Sequence, residues 1–137
     1  MQTHFSIEQI DQTVNAILAR TLYRPRVAII LGSGLNDFAD SVQNADRFPF
    51  STLVNFPLST VQGHIGQLVI GELEGQIVFV MQGRIHFYEG YSMAQVTFPV
   101  RVMQRLGVEI LIVTNAAGGV HPDFEPGDVM LITDNLN

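Results

Sequence analysis

Two apolar runs in this chain stop in the same way. Arg26–Leu31 reads RVAIIL and breaks at GSG, Gly32 to Gly34; Val108–Thr114 reads VEILIVT and breaks at NAAGG, Asn115 to Gly119. Each is short, rich in β-branched residues and apolar on both faces. That pattern suits a strand buried in a parallel or mixed sheet rather than a half-solvated one. Small residues at both strand ends let backbone N–H groups converge. A nest of amides at a strand end or helix N-terminus favours an anion, with phosphate the natural candidate. Either stretch alone reads equally as an ordinary tight turn. GSGLND is not a dinucleotide fingerprint, because Asp37 stands where the third glycine would fall.

The segments around these runs set the fold class. Ser6 and Gln9 form a capping box ahead of Ile7, Ile10, Val14, Ile17 and Leu18, an amphipathic helix that ends before YRPR. QLVIGEL and QIVFVMQ, joined by Glu74 and Gly75, read as a β-hairpin. Ser92 and Gln95 cap a second helix carrying Val96, Val100, Met103 and Leu106 and closing at Gly107; Pro99 should kink it or mark its first turn. LNDFADSV suits a short helix, and the stretch punctuated by Pro49 and Pro57 reads as irregular. After Pro126 and Gly127, DVMLIT reads as a last strand. The expectation is an α/β fold, a mixed central β-sheet flanked by helices, with residues 1–137 a single domain. A strand–helix alternation that breaks off after a strand lacks its next covering helix. One sheet face is therefore expected to be bare, and the chain to be the N-terminal part of a larger domain.

Composition narrows the chemistry. At 47% hydrophobic residues the chain can bury one sizeable core. Thirteen acids against seven cations leave a net charge of −6, which argues against nucleic acid as a partner. All seven cations are arginine, so neither a Schiff base nor a P-loop lysine is available. No cysteine is present, which excludes thiol nucleophiles, disulfides and zinc thiolates. No basic leader and no apolar run of the ~20 residues a membrane helix needs is evident, so no membrane partner and a cytoplasmic location are expected. Four scattered histidines, His4, His64, His86 and His121, lack ligand spacing, so no metal site is expected.

The polar residues concentrate in GRIHFYEGY, Gly83 to Tyr91. The planar fork of Arg84 matches phosphate oxygens, and His86, two residues along an extended segment, can share its side of the chain. With Ser33 and the amides near Ala116 they would supply charge, hydroxyl and backbone donors around one tetrahedral anion. Arg84 as a surface ion-pair partner and His86 as a satisfied loop histidine are the competing readings. His64, in GHIG, reads as a turn residue or as a further close contact. Glu89 can orient Arg84 or His86 or face water, and Tyr88 can meet a sugar or base edge or simply pack.

Taken together, ILGSGL, GHIGQLVIG, MQGRIHFYEGY, VTFPVRVMQRLGVEILIVTNAAGG and PGDVMLITD resemble the N-terminal half of the trimeric purine nucleoside phosphorylase family, in order and at matching intervals from about Arg26 to Asp134. The resemblance implies reversible phosphorolysis: a purine nucleoside and inorganic phosphate give a free purine base and pentose 1-phosphate. It implies a phosphate site of Ser33, His64, Arg84, His86 and the Ala116 amide, with Tyr88 beside the ribose and Glu89 and Asn115 in supporting positions. No cofactor is implied beyond inorganic phosphate as co-substrate, and the implied partners are nucleoside, phosphate and two further subunits of a homotrimer. The acid and amide that hold the base in this family come from its C-terminal half, so residues 1–137 alone are expected to be inactive or nearly so, and the preferred base is not encoded in them. Asn135 stands where the family commonly carries histidine. A 5′-methylthioadenosine phosphorylase and a catalytically incomplete phosphate-binding fragment are the alternatives.

Overall fold

The computed structural model describes residues 4–58 and 65–136. Its centre is a five-stranded mixed sheet. β1 (Val27–Ile30), β2 (Gln43–Pro49), β3 (Gln67–Leu73), β4 (Gln76–Gln82) and β5 (Ile110–Val113) lie in the order β2-β3-β4-β1-β5. β2, β3 and β4 form an antiparallel meander, whereas β1 is parallel to both β4 and β5.

Alternation along the strands sorts the apolar residues into two cores. Ala28 and Ile30, Leu68 and Ile70, and Phe79 and Met81 face one side; Ile29 and Leu31, Val69, and Val78 and Val80 face the other. The first face is covered by α1 (Ile7–Leu18) and α2 (Met93–Arg105). Their buried residues Ile10, Val14 and Ile17, and Phe98, Val102 and Met103, join Phe5, Phe50 and Phe56 in the larger core. The Phe5 and Phe98 rings meet at 4.3 Å between centroids. A 3-10 turn over Asn36–Ser41 covers part of the second face through Ala39 and Val42.

Both helices begin at the capping boxes read from sequence, with Gln9 N donating to Ser6 Oγ and Gln95 N to Ser92 Oγ, each at 3.3 Å. α2 ends at Gly107, φ +94°, where the N–H groups of Gly107 and Val108 donate to the carbonyls of Gln104 and Met103. This double bond closes the orphan carbonyls of the last turn. Pro99 lies buried inside α2 and does not start it; its ring belongs to the face turned to the sheet, where the missing N–H is offset by packing.

Three expectations need correction. The stretch read as irregular contains β2, hidden by a bulge: Gln43 pairs with Glu72 and Asp46 with Ile70, so Asn44 and Ala45 together oppose Gly71. LNDFADSV does form the short helix expected, a 3-10 one over Asn36–Ser41. DVMLIT is not a strand; it lies exposed without regular structure. Among the described residues it pairs with no strand, and β5, at the edge of the sheet, pairs with β1 alone. β5 itself is exposed along its whole length, so the bare surface lies over β5 and not over one full face of the sheet.

Candidate active site

Because β1, β4 and β5 are parallel, their carboxyl ends emerge at the same end of the sheet, where open α/β sheets bind ligands. Three segments of chain meet there. β1 passes into Gly32, β5 into Thr114, and β4 into Gly83 and Arg84.

Thr114 joins the first two. Its Oγ1 donates to the Ile30 carbonyl at 3.0 Å and accepts from Gly32 N–H at 2.8 Å, while its own N–H donates to Ile30 O at 3.1 Å. A Cβ on Gly32 would stand 2.7 Å from the Thr114 carbonyl oxygen and 2.9 Å from the Asn115 Cα, so only glycine permits this approach. Arg84 brings in the third segment. Gly83, at φ +97°, turns the chain out of β4, and the Arg84 guanidinium Nη1 donates to Thr114 O at 3.0 Å. A guanidinium carries five N–H donors in a planar fork, so this anchoring leaves others for a ligand.

The rest of the loop is built as a rigid rim. Ile85, 4% exposed, pins it to the core. His86 begins a 3-10 turn over Phe87–Glu89, where its N–H donates to Glu89 Oε1 at 2.7 Å. The His86 and Tyr88 rings stack, with centroids 4.7 Å apart and planes 16° from parallel. Tyr88 is 75% exposed, presenting its outer face to solvent. Gly90, φ +89°, closes the turn, and Tyr91 O–H donates to the Leu58 carbonyl at 2.6 Å.

The structure therefore brings Arg84 to the strand ends, stacks His86 on Tyr88, and ties Glu89 to the His86 backbone. Ser33 and Ala116 flank Gly32 and Thr114 in the chain and are exposed at the same sheet end; Asn115 donates its amide to Ala116 O at 3.4 Å. His64 lies outside the described residues. Two residues of this region were not singled out from sequence. Thr114 is the hydroxyl that laces β1 to β5, and its signal was a polar residue closing an apolar strand. Gln82 is the other: it is 1% exposed at the end of β4. Among the described residues no group of three or more His, Asp or Glu side chains is placed to hold a metal ion.

Parallel strand ends laced by a threonine, with an arginine anchored across them, form the crevice at the carboxyl end of a mixed α/β sheet of order β2-β3-β4-β1-β5. Residues 26–137 match the family described as the Phosphorylase superfamily, and the chain belongs to that family. Within it, the chain is similar to purine nucleoside phosphorylase 1 of Bacillus subtilis, 60% identical over 95% of this chain and 48% of the relative, and to the purine nucleoside phosphorylase of Mus musculus, 53% identical over 100% and 47%. A crystal structure of purine nucleoside phosphorylase in complex with ribose 1-phosphate superimposes with a TM-score of 0.84 at 45% identity, over 93% of this chain and 47% of that one. The chain spans about half the length of the curated relatives it matches.

Proposed function

We propose that this chain supplies the phosphate-binding part of a purine nucleoside phosphorylase. The observation that carries the reading is the 3.0 Å bond from Arg84 to Thr114 O, which holds a guanidinium across the converged ends of β1 and β5. Phosphate sits among Arg84, Ser33, His86 and the Ala116 N–H, with His64 as a further contact, and no other cofactor takes part. Tyr88, on the exposed rim, meets the ribose.

In this reading the glycosidic C–N bond breaks with its electron pair leaving on the purine. Positive charge develops at the anomeric carbon, as in other glycosyl transfers. A phosphate oxygen stabilises that charge and forms the new C–O bond, giving pentose 1-phosphate. Donors fixed before the reaction avoid reorganisation, and alignment of the two reactants replaces a two-body encounter. The homotrimer and cytoplasmic location expected from sequence belong to the same proposal.

In this reading residues 1–137 by themselves bind phosphate and turn over little or no nucleoside. Calorimetric titration with inorganic phosphate, run beside an inosine phosphorolysis assay, tests this. Phosphate binding that disappears in Arg84→Ala is the expected result; no binding by the unaltered chain would overturn the reading.

A further inference from the structure

We infer that the Gln82 carboxamide is a positioning residue for the phosphate site, clamping the loop that carries Ser33 to the sheet end that carries Arg84; the inference rests on the phosphate reading above. Gln82 is the last residue of β4 and lies two positions before Arg84. Polar side chains at such positions are costly to bury unless every group is paired. Gln82 is 1% exposed, and both ends of its amide are used. Nε2 donates to the Asn36 carbonyl at 2.8 Å, and Oε1 accepts from Gln67 Nε2 at 2.6 Å. Its backbone carbonyl accepts from Gly66 N–H at 3.1 Å.

Three segments are joined by this one residue. Asn36 opens the 3-10 segment that follows the Gly32–Leu35 turn, in which Leu35 N–H donates to Gly32 O at 3.3 Å. Gln67 opens β3, and Gln82 itself leads through Gly83 into Arg84. Gly34, at φ +83°, has nothing among the described residues within 4 Å of the position a Cβ would take. The turn is held at its base by Gly32 on Thr114 and at its far end by Asn36 on Gln82. An apolar residue at position 82 would keep the strand and leave the far end loose, so Ser33 would lose its fixed distance from Arg84. A hydrophobic strand end needs no glutamine; a loop that must stay in register with an arginine does.

The test uses Gln82→Met, which keeps length and packing without the amide, and Gln67→Ala, which removes only the donor to Oε1. Phosphate affinity by calorimetry is read together with amide hydrogen exchange at Leu35, Phe38 and Gly66 and with the melting temperature. For Gln82→Met we expect affinity about tenfold weaker, the scale of one buried partner left unpaired. Faster exchange at Leu35 and Phe38 should accompany it, with Gly66, bonded to backbone, unchanged. Gln67→Ala should show a smaller loss in the same direction, and decides the matter if Gln82→Met does not fold. Unchanged affinity in the folded variants, with Arg84→Ala still abolishing binding, overturns the role of Gln82 and leaves the phosphate reading standing. Failure of the unaltered chain to bind phosphate removes both.

Discussion

Arg84 Nη1 and the Thr114 carbonyl oxygen, 3.0 Å apart, connect the loop after β4 to the end of β5 across the top of β1. The contact fixes where the guanidinium points, which a long flexible side chain at a half-buried position would otherwise leave open. Replacing Arg84 by alanine should take phosphate binding out of calorimetric range, a loss of about 100-fold, the upper end for hydrogen bonds to a charged group. Lysine should recover only part of it, because a point charge cannot hold Thr114 and a phosphate in one planar fork. The melting temperature should move little in either variant. Equal phosphate affinity for Arg84→Lys and the unaltered chain would show that charge alone matters here.

Gly32 gives a second prediction at the same place. Its missing Cβ allows Thr114 O and the Asn115 Cα to come within contact, so alanine must push β1 and β5 apart at their carboxyl ends. Overpacking of this kind costs about 1–3 kcal/mol. Because the displaced carbonyl is also the acceptor for Arg84, Gly32→Ala should lose phosphate affinity as well as stability. Gly34→Ala is the control: its cost comes from a left-handed backbone with open space around it, so stability should fall by about 1 kcal/mol without disturbing Thr114. Thermal melts and phosphate titrations of the two variants should separate; parallel behaviour would mean the close approach is not what glycine serves.

Much of this was legible in sequence wherever one local rule decided the outcome. The two capping boxes, the Glu74–Gly75 turn and the buried strands around Ala28 and Val80 all follow from residue type and spacing over a few positions. The strand ends bearing Gly32 and Arg84 were legible for the same reason, and the resemblance implies the phosphate proposed to bind there. What escaped depended on partners distant in the chain. β2 was invisible because its bulge breaks the alternation at Asn44 and Ala45, and only Gly71 on the neighbouring strand makes that break tolerable. DVMLIT has the composition of a strand, yet among the described residues it pairs with none. Gln82 and Thr114 act through Asn36 and Ile30, contacts that no spacing rule links.

Gly71 can be tested directly. A Cβ there would stand 2.6 Å from Gln43 O and 2.9 Å from both the Ala45 Cα and Val42 Cγ1, so the bulge of β2 closes on the glycine. Gly71→Ala should force the bulge outward and loosen the Tyr23 hydroxyl, which donates to Asn44 O at 3.1 Å and to Glu72 Oε1 at 3.3 Å. A destabilisation of about 1–3 kcal/mol is expected, or roughly 5–10 °C in melting temperature. Phosphate affinity should stay unchanged, since β2 lies at the far edge of the sheet from Arg84 and Thr114. A variant as stable as the parent would mean that the bulge relocates freely.

At the opposite end of the sheet, the amino ends of β1 and β5 are joined by Arg26 and Glu109. The backbone N–H groups of Glu109 and Ile110 donate to Arg26 O at 2.8 and 3.1 Å, and the guanidinium grips the carboxylate with two bonds, Nε to Oε1 at 3.0 Å and Nη2 to Oε2. The hydrogen bond from Arg26, helped by its charge, holds the Glu109 carboxyl below its ordinary value against a smaller effect of desolvation. A depressed folded-state pKa means the pair stabilises fully above the unfolded carboxylate range and stops doing so as pH falls through the folded value. Both side chains are more than half exposed, so the contribution is small and screened by salt. It nevertheless anchors β5, which has β1 as its one paired neighbour. Glu109→Gln should therefore be less stable than the parent at neutral pH and low salt, and the two should converge in acid below the ordinary carboxylate range or at about 1 M salt. Hydrogen exchange at Ile112 should rise in the variant under the first condition alone. A stability gap that persists unchanged in acid would assign the effect to packing and not to the ion pair.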